Sequence, residues 1–151
     1  MVDGKMRLAC PVCGWVNFED PKVSVAALIL QDSKLLLVQR AHAPHKNKWS
    51  FPAGFMDALE KPEEALKREC REETNLEVTV LDLLEIKSGR ETPCGADLLL
   101  IYRAETLSGQ LKAGDDARKA AFFALNALPE LAFNSTEEII KKYLDGRFNS
   151  V

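Results

Sequence analysis

Glu69, Glu72 and Glu73 constrain this chain more than any other group of residues. They stand at i, i+3 and i+4 within residues 62–74, PEEALKRECREET. A helix turning 100° per residue brings side chains at those offsets onto one face, a few ångströms apart. The stretch is built as a helix. Pro62 suits the first turn, where its missing N–H is no loss. Glu63 and Glu64 favour the positive end of the dipole. Glu63–Lys67 and Glu64–Arg68 are i,i+4 pairs of favourable polarity. Asn75 can take the left-handed conformation that ends a helix. Like charges on one face repel, and covering that face raises the penalty and the carboxyl pKa values. Two readings remove the conflict. One is a solvated face laced with salt bridges to Lys67 and Arg71. The other is a hard divalent cation such as Mg²⁺, which prefers carboxylate oxygens and commonly brings substrate phosphates with it. Arg68 can hold one carboxylate by paired hydrogen bonds, and Glu60 is a candidate partner for it. Gly54, ending an extended segment, would let backbone and metal approach closely.

The rest of the pattern predicts an α/β or α+β domain with a mixed sheet. Val23–Leu30 and Leu35–Arg40 read as strands joined by a hairpin turn at Gln31-Asp32-Ser33. Trp49–Gly54 is short and extended, since Pro52 forbids helix there. Glu77–Ile86, Asp97–Glu105 and Ala120–Ala124 read as further strands. Thr136–Leu144 reads as a second helix, capped by Ser135 and stopped by Gly146. Trp49, Phe51 and Cys70 are assigned to the core. Residues 1–20 read as a leader and 21–151 as one domain.

Composition narrows the class. In 151 residues, 46% are apolar and 28% charged, an ordinary globular balance with room for a real core. No apolar run approaches the roughly 20 residues of a membrane helix, and the N-terminus lacks the apolar core of a secretion signal. Four cysteines are too scattered for a disulfide scaffold. A reduced, cytoplasmic protein is the expectation. The net charge of -3 argues against a protein living on bulk nucleic acid. Charge is unevenly spread, however. Between Ser33 and Met56 there is no Asp or Glu, while Lys34, Arg40, His42, His45, Lys46 and Lys48 lie there. A basic segment followed by an acidic helix suits a polyanionic substrate with a divalent cation. Local clustering on a solvated loop is the plainer alternative.

The segment Gly54–Leu76 resembles the Nudix box: Gly, five residues, Glu, seven residues, Arg-Glu, an aliphatic, any residue, Glu-Glu, any residue, Gly, an aliphatic. Gly54, Glu60, Arg68, Glu69, Glu72, Glu73 and Leu76 match at the right spacing. Cys70 takes the small apolar position, and Asn75 replaces the usual Gly. Leu59 stands where many members have Gly. The leader, Cys10-Pro-Val-Cys13-Gly14-Trp15 followed by Asp20-Pro21-Lys22-Val23, looks like the start of zinc-ribbon Nudix hydrolases, and the tail, Ala124-Leu125 with Leu131–Ser135, is similar to the FAD and ADP-ribose pyrophosphatase branch.

That resemblance implies an α/β/α sandwich around a mixed sheet and hydrolysis of a diphosphate linked to another moiety. It implies Mg²⁺, or Mn²⁺ in its place, held by Glu69, Glu72 and Glu73, with the Gly54 carbonyl as an extra ligand and Arg68 supporting catalysis. A carboxylate must accept the attacking water's proton. Glu72 is one candidate, and Asp115, Asp116 and Glu91 are others, with Asp116 ranked first among those outside the box. Turn chemistry is the alternative role for Asp115 and Asp116. Arg40 is a candidate for substrate phosphates. Phe133 and Asn134 would contact a base or flavin, or else form a staple and turn before the last helix. Cys10 and Cys13 supply only half of a tetrahedral zinc site, so bound zinc is not expected. ADP-ribose or FAD, giving AMP, are the favoured small-molecule substrates. The alternatives are an NADH diphosphatase, a nucleoside triphosphate pyrophosphohydrolase and, outside enzymes, a nucleotide-sensing Nudix domain. A homodimer is expected at family level only.

Overall fold

The computed structural model of the chain describes residues 1, 4–114 and 116–148. Its elements run β1 (Val23–Gln31), β2 (Lys34–Arg40), β3 (Trp49–Ser50), β4 (Ala53–Phe55), α1 (Pro62–Thr74), β5 (Leu76–Ser88), β6 (Leu98–Gly109), β7 (Ala117–Ala124) and α2 (Asn134–Leu144). The main path of the sheet is β3-β2-β1-β6-β5, with β4 also paired to β1 and β7 to β2. The sheet is mixed, because β1 and β6 run parallel while the other paired strands are antiparallel.

Strand β1 shows how the layers form. Its side chains alternate between faces, as the pleat requires. Val25, Ala27 and Ile29 join Ala65, Leu66 and Cys70 of α1 in one core. Ala26 and Leu28 join Phe51 and the α2 residues Ile139 and Ile140 in another. With both faces covered, β1 reads as a continuous apolar run instead of an alternating one. Leu28, Leu36 and Leu66 are 0–1% exposed, and each such burial contributes about 2 kcal/mol relative to exposure. The result is the expected α/β/α sandwich. No helix among the described residues is long and apolar enough to cross a membrane.

Helix α1 begins and ends where its residues dictate, with Pro62 in the first turn and Asn75 left-handed at φ 58°. The β1–β2 turn has Asp32 and Ser33 both at positive φ, the geometry that matches strand twist in a two-residue hairpin. Trp49 packs edge-on against Phe123, and Phe51 and Cys70 are buried, as the core assignment required. The later strands β5, β6 and β7 are longer than the sequence pattern suggested.

Two local expectations fail. Glu64 pairs with Lys67 at 2.9 Å, one residue short of the proposed Arg68 contact. Arg68 turns away because Glu60 offers it two carboxylate oxygens. Ser135 is not the cap of α2. The helix starts two residues earlier than expected, at Asn134, after Phe133 and without a side-chain cap of its own. Its first N–H groups bond instead to a carboxylate from a distant loop, which no local pattern announces.

Candidate active site

Helix α1 lays its acidic face against β4. The contact depends on Gly54, whose ideal Cβ would lie 2.0 Å from the Glu69 carboxyl carbon and 2.1 Å from each of its oxygens. Only a residue without a side chain lets that carboxylate reach the strand. Glu73 reaches further in and accepts the Ala53 N–H on Oε2 at 2.9 Å. Burial pushes its carboxyl up to about 8, against the pull of that N–H and of Arg40. Burial also raises Glu69, with Arg68 opposing it.

Arg68 organises the cluster. Its Nε and Nη2 donate to the two oxygens of Glu60 at 2.9 Å each, and Nη2 also donates to the Phe55 carbonyl at 3.0 Å. Nη1 donates to Glu69 at 2.7 Å and to Glu72 at 3.2 Å. The fork–fork geometry is that of strong Arg–carboxylate recognition. It holds Glu60 down to about 2 and raises Arg68 further. The predicted Glu60–Arg68 pair is therefore present.

A cavity of about 750 Å³ opens over this face. Gly54, Arg68, Glu69 and Glu73 line it, as do Arg40, Asp116, Phe133 and Asn134. Glu72 does not; its carboxylate accepts from Arg68 Nη1 beside the cavity. Asp115 lies outside the described residues. Arg40 stands where the β2–β7 register shifts between Gln39 and Arg40, and such irregularities re-aim a side chain. Its Nε donates to the Pro44 carbonyl at 2.8 Å, and its guanidinium lies 5.1 Å from the centre of the Phe133 ring. His45 meets the same ring edge-on at 5.4 Å. The Asp116 carbonyl accepts the Ala41 N–H at 3.0 Å, while its exposed carboxylate lies 3.5 Å from His42 Nε2.

The donor chemistry fits a hard divalent cation: several carboxylates and a backbone carbonyl at Gly54. Among the described residues no three acidic, His or Cys side chains already converge on one point. Two of the box carboxylates, Glu69 and Glu72, share Arg68 Nη1 instead.

Glu91, read as a candidate base, serves as a cap of α2. Its oxygens accept the N–H groups of Asn134 at 2.8 Å and Ser135 at 3.0 Å. Lys87 and Glu138, also on the cavity wall, form an ion pair that the sequence pattern did not suggest. These residues lie on β5, the following loop and α2, so only the folded chain could associate them. At the leader, the Cys13 and Val12 N–H groups hold the Cys10 thiol below its ordinary range. The turn is closed by Gly14 N–H to Cys10 O at 3.0 Å.

Comparison with known proteins gives one consistent answer. A family model described as NUDIX domain matches residues 20–143. An ADP-ribose pyrophosphatase of Methanocaldococcus jannaschii is 42% identical over 125 residues, covering 82% of this chain and 73% of that protein. The NAD-capped RNA hydrolase NudC of Pseudomonas aeruginosa is 31% identical over 132 residues; the match covers 85% of this chain but only 45% of NudC. A crystal structure of a NUDIX hydrolase from Nitrosomonas europaea superposes with a TM-score of 0.84 at 29% identity, covering 95% of this chain and 81% of that one.

Proposed function

Since the chain belongs to the Nudix family and is a pyrophosphatase, we propose that it splits the diphosphate of a nucleoside diphosphate derivative, ADP-ribose first and FAD second, with AMP as a product of either. The observation that carries this reading is the single cavity holding the box carboxylates Glu69 and Glu73 together with Arg40, Asp116, Phe133 and Asn134. Its volume is that of a small-molecule site, not of a nucleic-acid groove. The 42% identity to a protein named ADP-ribose pyrophosphatase supports the same substrate.

Nudix hydrolases use divalent metals, and Mg²⁺ is the one we assign, with Mn²⁺ as a substitute. Glu69, Glu72, Glu73 and the Gly54 carbonyl would hold it. When bound, such an ion polarises a phosphoryl oxygen, neutralises the leaving phosphate and acidifies water. The chain's own residues do the rest. Arg68 fixes Glu60 and orients Glu69 and Glu72. Arg40, steadied by Pro44 and Phe133, offers its remaining N–H groups to phosphate oxygens. Phe133 and Asn134 bound the space for the nucleoside or sugar.

The water's proton goes to a carboxylate, either Glu72 or Asp116. Asp116's exposed position on the cavity wall supports it as the acceptor, and we keep Glu72 as a ligand on its place in the box. We assign residues 1–20 to a leader outside the catalytic domain, without bound zinc.

The test is turnover with Mg²⁺ across ADP-ribose, FAD, NADH and nucleoside triphosphates, with products identified by mass. AMP from ADP-ribose at the highest kcat/KM is expected. A far higher kcat/KM for triphosphates would overturn the substrate and leave the family chemistry standing. NADH preference would favour the reading suggested by the NudC relative.

A further inference from the structure

The N-terminus of α2 opens on the cavity through Asn134, Ser135 and Thr136. The first N–H groups of a helix lack intrahelical partners, and together with the dipole they attract anions, phosphate above all. In this chain that place is taken by the protein's own anion. Glu91, on the loop between β5 and β6, accepts Asn134 N–H on Oε2 at 2.8 Å and Ser135 N–H on Oε1 at 3.0 Å. Glu91 lines the cavity, as do Lys87 and Glu138. The Lys87 ammonium is paired with Glu138, so it does not offset the Glu91 charge. Arg40, whose guanidinium lies 5.1 Å from the centre of the Phe133 ring, is close enough to Glu73 to lower its pKa. The cavity therefore joins a cationic group beside the box carboxylates to an acidic wall at the α2 end.

We propose that Glu91 determines specificity: it closes the α2 N-terminus to phosphate and offers carboxylate oxygens to hydroxyl groups. The cavity then accepts a diphosphate whose remote end is a sugar and rejects one carrying a further phosphate there. The inference rests on the cavity being the site of a diphosphate substrate. Each Glu91 oxygen has lone-pair capacity beyond its bond to α2, which a sugar O–H can use. A phosphate at that position meets a like charge and finds the Asn134 and Ser135 N–H groups occupied. Discrimination of this kind works by repulsion of the wrong ligand as much as by attraction of the right one.

The test uses the full chain and the variants Glu91→Gln and Glu91→Ala. Inorganic phosphate is titrated while the ¹H–¹⁵N signals of Asn134 and Ser135 are followed. Both amides should shift saturably in the variants and not in the wild type. In parallel, kcat/KM is measured for ADP-ribose and for its analogues carrying one extra phosphate on either ribose. The wild type should favour ADP-ribose over at least one analogue by about tenfold or more, and the variants should lose most of that preference. A cap with a purely structural role would lower melting temperature and turnover for all substrates alike. An unchanged ratio, with both amides silent, would therefore overturn the proposal. Should the wild type fail to split ADP-ribose, the substrate reading falls, and the phosphate titration alone then decides for or against Glu91.

Discussion

The carboxylate of Glu69 rests directly against the Cα of Gly54, so a methyl group at 54 would lie 2.0 Å from its carboxyl carbon. Strand β4 and helix α1 are joined there by the absence of a side chain. Gly54→Ala should therefore displace Glu69 while leaving both cores untouched. A shift of about 1 Å in a catalytic group can lower the rate roughly 100-fold. We expect a loss of that order in kcat, with a folded protein by circular dichroism. Turnover close to wild type would show that Glu69 need not sit at β4.

Glu72→Gln and Glu73→Gln should each lower kcat by orders of magnitude without unfolding the chain. Each removes a charged oxygen donor from the face assigned to the metal. Saturating Mg²⁺ should also raise the wild-type melting temperature, because it binds the native state alone. Thermal melts with and without millimolar Mg²⁺ check this. The increment should shrink in both variants, and an unchanged wild-type melt would count against the site.

Leu59 sits at φ 68° with its side chain fully exposed. It gains nothing from packing, and a left-handed backbone costs a non-glycine residue about 1–2 kcal/mol. Glycine adopts that conformation freely but loses more entropy on folding. Leu59→Gly should give a net stabilisation of about 1 kcal/mol, read as a higher urea midpoint at unchanged slope. A lower midpoint would place an unseen contact on Leu59.

Arg68 holds Glu60 down to about 2. A carboxyl with a depressed folded pKa adds stability above its unfolded pKa and loses it as pH falls through the folded value. The Glu60–Arg68 contribution should be complete above about pH 5 and fade between about pH 4 and pH 2. The measurement is the stability difference between wild type and Glu60→Gln across that range. A difference that stays constant down to pH 2 would contradict the pairing.

Cys10 and Cys13 form a closed turn with a thiol shifted toward thiolate, yet a tetrahedral zinc site needs four ligands. Protein purified without chelator should carry well under one zinc per chain by elemental analysis. One tightly held zinc per chain would point to ligands from a second copy.

The box was legible from sequence because its logic is local. Glu60, Arg68, Glu69, Glu72 and Glu73 lie within two turns of helix and the loop before it, so spacing alone sets their neighbours. Asn75 and the Asp32-Ser33 turn follow from short-range backbone preference in the same way. Alternate burial of β1 on two faces was legible only as an apolar run, because covering both faces erases the period that would reveal them.

The tertiary structure decided the remainder. It brought Arg40 to Phe133, His42 to Asp116 and Glu91 to Ser135. Each of those pairs joins segments far apart in the chain, and their meeting depends on strand register and on the helix packed over the sheet. In sequence Glu91 reads as a candidate base. Its bonds to α2 answer unsatisfied N–H groups at the start of that helix, a demand that exists only once the helix has docked.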